Sequence, residues 1–221
     1  MDMKKTMILS ALSLLCALAA SAQSVRPEVL DRIQKESVSF DYTYSVATGK
    51  KADLKQTSGG CVTAQKDAYL VTGLGLEVRS DTKSRWTIDR SAKEVLIESV
   101  GETITDELML TPTLAICRYE DFFTPKFVER KIISGGIVDR FDLQLKNPSD
   151  DMSDVYLLIM QEVDDNEKET IRLAFGFKGS NASWIEIRTG ALRFDKVKPL
   201  SFYAPAAGEF SGAEWVVTDL R

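Results

Sequence analysis

The chain contains no histidine among its 221 residues. Histidine is the usual general base near neutral pH, the central member of a Ser-His-Asp triad and the commonest zinc ligand. Its absence disfavours hydrolytic and zinc-dependent chemistry. We therefore expect a protein that is not an enzyme and that holds no metal and no cofactor.

Nucleotide and calcium motifs are missing as well. Gly73 and Gly75 lack the third glycine and the following helix of a dinucleotide-binding turn. The acidic clusters in residues 150–154 and 164–169 lack the glycine and terminal glutamate of an EF-hand loop. Charge runs between alternating strands are usually exposed hairpin turns, and this is our interpretation of both clusters.

Positive charge is scarce and scattered. The chain has 28 lysines and arginines against 33 aspartates and glutamates, for a net charge of −5. Proteins that bind nucleic acid generally present a concentrated basic surface, because they neutralise phosphates. We therefore expect no nucleic-acid partner.

Long apolar runs are absent except at the N-terminus. Lys4 and Lys5 precede an apolar run over residues 7–20, and Ala20-Ser21-Ala22 is a typical cleavage site. This pattern predicts a signal peptide over residues 1–22, which leaves one soluble domain over residues 23–221. A lipid-modified Cys16 is disfavoured, because the usual small residue does not precede it.

Cysteine is also rare, with three in the chain. Cys61 and Cys117 remain after removal of residues 1–22. An oxidising compartment would permit one disulfide between them, and the alternative is two buried thiols.

Alternating apolar and polar residues recur along the chain at the period of a β-strand. In residues 38–46 every second side chain is apolar and shares one face: Val38, Phe40, Tyr42, Tyr44 and Val46. Similar alternation covers residues 74–79, 84–99, 141–146 and 171–178. Strands with one apolar face predict an antiparallel sheet.

One segment departs from this pattern. In residues 105–123 apolar side chains recur at spacings of three and four, and Pro112 suits a first helical turn. The apolar residues occupy more than one side of this predicted helix, so it needs wide coverage. Together with a shorter helix over residues 26–37, it predicts a mainly β fold in which helices cover the concave apolar side of a strongly curved antiparallel sheet.

Several motifs occur together in a recognisable order. Residues 80–89, SDTKSRWTID, are similar to a D-G-K-x-x-W-x-Y-D hairpin, and a Thr111-Pro112 helix start follows. The chain ends with Phe202-Tyr-Ala-Pro205 and VVTDLR, similar to F-x-F-x-P and V-x-D-x-R. In these features residues 25–221 resemble the LolA-type outer-membrane lipoprotein carriers.

The resemblance implies an incomplete β-barrel with a helical lid and an apolar cavity for acyl chains. It implies a monomer in the periplasm, with an inner-membrane donor complex and an outer-membrane acceptor as partners. The expected cavity wall comprises Phe40, Tyr42, Tyr44, Leu76, Val78, Trp86, Ile88, Val95, Ile97, Phe141 and Leu143. The expected lid residues are Leu110, Leu114, Phe122 and Phe123.

The chain departs from the family at two points. Asp81-Thr82 replaces the usual Asp-Gly, and residues 67–73 lack the arginine that holds the lid closed in the best-known carriers. Arg79 and Arg85 are the alternatives for that role, and the sequence assigns it to neither.

Other hypotheses stay open beside the carrier. A sensor or interaction module could use the same fold to recognise lipidated or apolar segments without transport. An enzyme acting on an apolar substrate is disfavoured by the missing histidines. For single residues such as Trp86, the simplest interpretation is ordinary core packing, since apolar side chains usually pack against one another.

Overall fold

A computed structural model describes residues 28–100, 114–147, 152–163, 169–179 and 181–221. The predicted signal peptide lies outside these residues, and the single domain over residues 23–221 stays a prediction. None of the described helices is both long and apolar enough to cross a membrane.

The secondary structure is dominated by strands. The helices are α1 (Glu28–Lys35), α2 (Leu114–Cys117) and α3 (Tyr119–Phe122). The strands are β1 (Ser37–Thr48), β2 (Lys55–Gln65), β3 (Ala68–Gly73), β4 (Leu76–Asp81), β5 (Ser84–Asp89), β6 (Glu94–Ser99), β7 (Phe123–Ile133), β8 (Gly136–Leu145), β9 (Met152–Val163), β10 (Glu169–Gly179), β11 (Ser183–Thr189), β12 (Arg193–Asp195) and β13 (Val216–Asp219).

These strands form one curved sheet that does not close. Its order is β13-β6-β5-β4-β3-β2-β1-β11-β10-β9-β8-β7, and β12 pairs with β1 beside this path. Every pairing is antiparallel except that of β13 with β6, which is parallel. The prediction of a mainly β fold with an incomplete barrel and covering helices is confirmed.

Residues that pair directly across antiparallel strands lie on the same face of the sheet. Phe40 pairs with Val62, Val62 with Val71, and Val71 with Val78. Because the buried side chains of α1, α2 and α3 belong to the same cluster, this is the face that the helices cover. We call it the concave face.

The apolar side of the sheet changes between β4 and β5. Val78 pairs with Thr87, so the concave face becomes polar there. The neighbouring pairs place Trp86 and Ile88 on the opposite, convex face. There they form a second core with residues from β6 and the C-terminal segment: Val95, Ile97, Phe210 and Trp215.

Helix α1 leads into the first strand and illustrates how local sequence and packing agree. Glu28 and Asp31 lie in its first turn and Arg32 and Lys35 in its last, which complements the helix dipole. Its buried side chains belong to the main core: Val29, Leu30 and Ile33. At its C-terminal end the helix predicted over residues 26–37 stops earlier than expected, at Lys35, because Ser37 begins β1.

Two sequence boundaries need correction. Leu74 was included in a predicted strand, yet it lies in the turn between β3 and β4 with a φ of 54°. In the described part of the predicted helix 105–123, the helical residues form two four-residue segments, and Phe123 begins β7.

Gly176 of β10 leaves room for a tyrosine that crosses the convex face. An added Cβ would lie 2.3 Å from the ring of Tyr156, whose hydroxyl donates to the buried carboxylate of Glu186. The ring cannot move aside without losing that hydrogen bond. The position therefore requires glycine.

We predict that Gly176→Ala lowers the free energy of unfolding by about 1–3 kcal/mol through overpacking. Urea denaturation measures the change. In a Tyr156→Val background, which removes the clashing ring atoms, the same substitution should be nearly neutral. An equal cost in both backgrounds would contradict this explanation.

Candidate functional site

The concave face is built from the strand that the sequence marked most clearly. In β1, Phe40 is fully buried, while Tyr42 and Tyr44 are half-buried. The pairing of Tyr44 with Ile187 and of Tyr42 with Thr189 extends this face into β11. Burial raises the pKa of both tyrosines, so their hydroxyls stay neutral under ordinary conditions.

Aromatic rings fill the middle of the concave face. The rings of Phe123 and Phe175 lie 5.8 Å apart, and Phe175 lies 5.8 Å from Phe177. Phe122 meets Phe123 edge-on at 6.1 Å. Such tilted and edge-on contacts favour close packing of aromatic side chains.

Further predicted wall residues belong to the same core. Phe141 and Leu143 are buried in it, and Val78 is packed against it. Leu76 precedes Val78 by two residues on the same face, but it is 39% exposed. The site therefore extends from β4 through β1 to β8.

Four predicted wall residues do not belong to this site. Trp86, Ile88, Val95 and Ile97 lie on the convex face, where the C-terminal segment covers them. The assignment of these residues to the cavity wall is wrong. The alternation was predicted correctly, but the hydrogen-bond register turns their apolar side away from the helices.

Helices α1, α2 and α3 lie over the concave face. Ile116, Cys117, Tyr119 and Phe122 are buried against the strands. Isolated helices of four residues do not persist in water, so α2 and α3 depend on this packing. We use the word cover for residues 114–122.

The predicted lid residues have different outcomes. Phe122 ends α3 and is buried in the core, as expected of a lid residue. Phe123 is instead the first residue of β7 and belongs to the wall. Leu110 lies outside the described residues, and Leu114 is the first residue of α2.

Polar contacts fasten the cover where α2 meets α3. The Gln34 side-chain amide donates to the carbonyl oxygen of Cys117 at 2.8 Å. Arg118 of the cover lies 3.3 Å from Asp67 in the β2–β3 turn and 2.9 Å from Asp121. Arg118 of the cover therefore supplies a cation to Asp67, in a region where the sequence lacked the expected arginine.

The two alternative arginines have other partners. Arg79 contacts Glu77 and donates to the carbonyl oxygen of Ala204 at 3.2 Å. Arg85 pairs with Glu98 at 2.8 Å. These contacts connect β4 with the C-terminal segment and β5 with β6.

The two cysteines are free thiols and form no disulfide. Cys61 is exposed, and its thiol donates to Asp41 at 3.1 Å, which raises the pKa of Cys61. Cys117 is buried in the cover, and burial raises its pKa to about 12. The bridge considered from the sequence is wrong, and only one of the two thiols is buried.

Sequence reasoning missed several residues of this core. Tyr69 and Tyr119 are fully buried, as are Leu30 and Ile33 of α1. The alternation over residues 171–178 had signalled Phe175 and Phe177 as one strand face. It did not show that this face meets Phe40, because strand order is not visible in a single sequence.

Comparison with known proteins finds no matching family model and no matching curated protein. A LolA superfamily protein of Nitrosomonas europaea has a similar structure, with a TM-score of 0.42 and 9% identity over 81% of this chain and 96% of that one. An uncharacterized conserved protein of Thermus thermophilus has a TM-score of 0.44 and 9% identity over 87% of this chain and 97% of that one. At such identity a likeness concerns the fold alone.

We predict that Gln34→Ala loosens the cover. A hydrogen bond of this kind contributes about 0.5–1.5 kcal/mol to stability. Its loss should make opening of the cover easier, so the Cys117 thiol should react with a maleimide roughly two- to tenfold faster. The measurement uses a Cys61→Ser background, in which Cys117 is the thiol followed. Asp195→Asn, which removes an exposed pair with Lys198, is the control and should leave the rate unchanged. A parental rate in Gln34→Ala would show that this contact does not restrain the cover.

Proposed function

We propose that the concave face binds acyl chains after the cover moves aside, and that the protein carries lipoproteins or a related lipidated cargo across the periplasm. The donor would be an inner-membrane complex and the acceptor a site at the outer membrane. No chemical step is assigned to the protein, and no cofactor is required.

The observation that carries this proposal is the construction of the cover. Within the described residues, a wide aromatic and aliphatic face is covered by α1 and by two four-residue helices, α2 and α3. Ile116 and Phe122 fill the space between these helices and the strands. An acyl chain offers the same kind of surface and could replace these side chains on the concave face.

The energies favour such an exchange. Burying Ile116 and Phe122 contributes about 1.5–3 kcal/mol for each side chain. One acyl chain of about 16 carbons gains on the order of 12 kcal/mol gross, at ~0.8 kcal/mol per methylene. A lipid therefore competes well with the cover. Escape into water would be slow, so transfer requires direct contact with donor and acceptor.

The closed and open arrangements would then be two populated states. A ligand shifts such an equilibrium only by its differential affinity for them. An acyl chain that occupies the concave face has no room in the closed state. Lipid binding should therefore expose the buried side chains of the cover to solvent.

Cys117 provides a direct test, because it lies in the cover and is buried in the closed state. In the Cys61→Ser variant, a triacylated lipopeptide should accelerate maleimide labelling of Cys117. The same ligand should raise the melting temperature, since it binds the folded protein. Acceleration together with a lower melting temperature would indicate unfolding. An unchanged labelling rate with bound lipopeptide would refute displacement of the cover.

A pair of substitutions separates the concave face from the second core. Tyr44→Ala should weaken acyl binding roughly fivefold, because it removes half-buried apolar surface from the wall. Trp86→Ala should leave acyl binding unchanged while lowering the free energy of unfolding by roughly 2–3 kcal/mol. Fluorescent fatty-acid displacement and urea denaturation measure the two effects. Loss of binding in Trp86→Ala alone would place the ligand on the convex face.

A further inference from the structure

The convex face contains a cavity that the acyl-binding proposal does not use. Its volume is about 480 Å³, within the usual range for small-molecule sites. Its wall includes two aromatic side chains, Tyr156 of β9 and Trp184 of β11. Three cationic side chains surround them: Lys51, Lys126 and Arg140.

Lys51 is held above these rings by the turn that follows β1. A short 3-10 segment, Lys51–Asp53, directs the side chain across the convex face. Its ammonium nitrogen lies 3.4 Å from the centroid of the Tyr156 ring and 5.6 Å from that of Trp184. A cation in this position is stabilised by the faces of both rings.

The buried carboxylate near these rings is already satisfied. Glu186 accepts hydrogen bonds from the Tyr156 hydroxyl and from the Nε of Arg188. Burial lowers the pKa of Lys51, and the charge of Glu186 offsets part of that effect. The site therefore keeps a partly desolvated ammonium beside a carboxylate that is committed to other partners.

The remaining charges leave the cavity with a positive excess. Arg140 pairs with Asp142 at 3.2 Å, and Asp154 is the other carboxylate in the wall. Within the described residues, neither Lys51 nor Lys126 forms an ion pair with a carboxylate. Among the described residues, three cations and two carboxylates line this cavity, although the whole chain has a net charge of −5.

We propose that this cavity binds a phosphate group, carried either by a lipid headgroup or by a soluble phosphate. A phosphate offers several acceptor oxygens, which suit two ammonium groups and one guanidinium. The ring of Trp184 gives an apolar wall for the ester part of such a ligand. A neutral ligand would leave the ammonium groups of Lys51 and Lys126 without an anionic partner.

Titration calorimetry of the purified protein tests this site with two probes, inorganic phosphate and dihexanoyl phosphatidic acid. We expect at least one probe to bind. The double variant Lys51→Met, Lys126→Met should weaken binding at least about tenfold, because it removes two charge-assisted contacts. Lys131→Met, which removes an exposed lysine paired with Glu129, is the control and should bind like the parent. A second control, Lys55→Met, Lys131→Met, removes the same number of charges as the double variant and should also bind like the parent.

The outcomes distinguish the two sources of phosphate. Binding of inorganic phosphate supports a site for soluble phosphates. Binding of phosphatidic acid alone supports a headgroup site if the double variant weakens it, since acyl chains bound on the concave face would be unaffected by that variant. Absence of binding by both probes at 10 mM, about the weakest affinity that millimolar titration can detect, overturns the proposal. Unchanged binding in a folded Lys51→Met, Lys126→Met variant also overturns it. The acyl-binding proposal is tested separately, by labelling of Cys117 in the cover. A failure of phosphate binding therefore does not decide whether the concave face binds acyl chains.

Discussion

The need to cover an apolar sheet face organises this molecule. The concave face carries large side chains from nearly every strand between β4 and β8, and it cannot remain in contact with water. Because the sheet is curved and unclosed, its own strands cannot bury that face completely. Helices from two separate parts of the chain, α1 and the cover, bury much of it.

The cover depends on tertiary packing more than the strands do. Its two helices have four residues each, so they depend on Ile116, Tyr119 and Phe122 for their position. Gln34 and Asp67 add polar contacts where the two helices meet. A segment held in this way can be displaced at lower cost than any central strand, whose backbone is bonded on both sides.

The convex face follows different chemistry. Near β5 and β6 it holds a second core under the C-terminal segment, with Trp86 and Trp215 among its members. Near β9 and β11 it holds the tyrosine and glutamate pair for which Gly176 makes room. The sheet thus separates an apolar interior from a surface in which aromatic rings and charges meet, and the two proposed sites lie on opposite faces.

The sequence by itself determined the local structure of most of the sheet. The alternation in residues 38–46 placed Phe40, Tyr42 and Tyr44 on one face, and that period follows from the geometry of any extended strand.

Only the tertiary structure decided which face meets which partner. Trp86 and Ile88 share the same clear alternation, yet their register with β4 turns them to the convex side. Likewise Phe123 belongs to strand β7 in the wall of the site and not to the lid, and Cys61 and Cys117 form no disulfide. Strand order and register depend on contacts between residues far apart in the chain, and no local pattern records them.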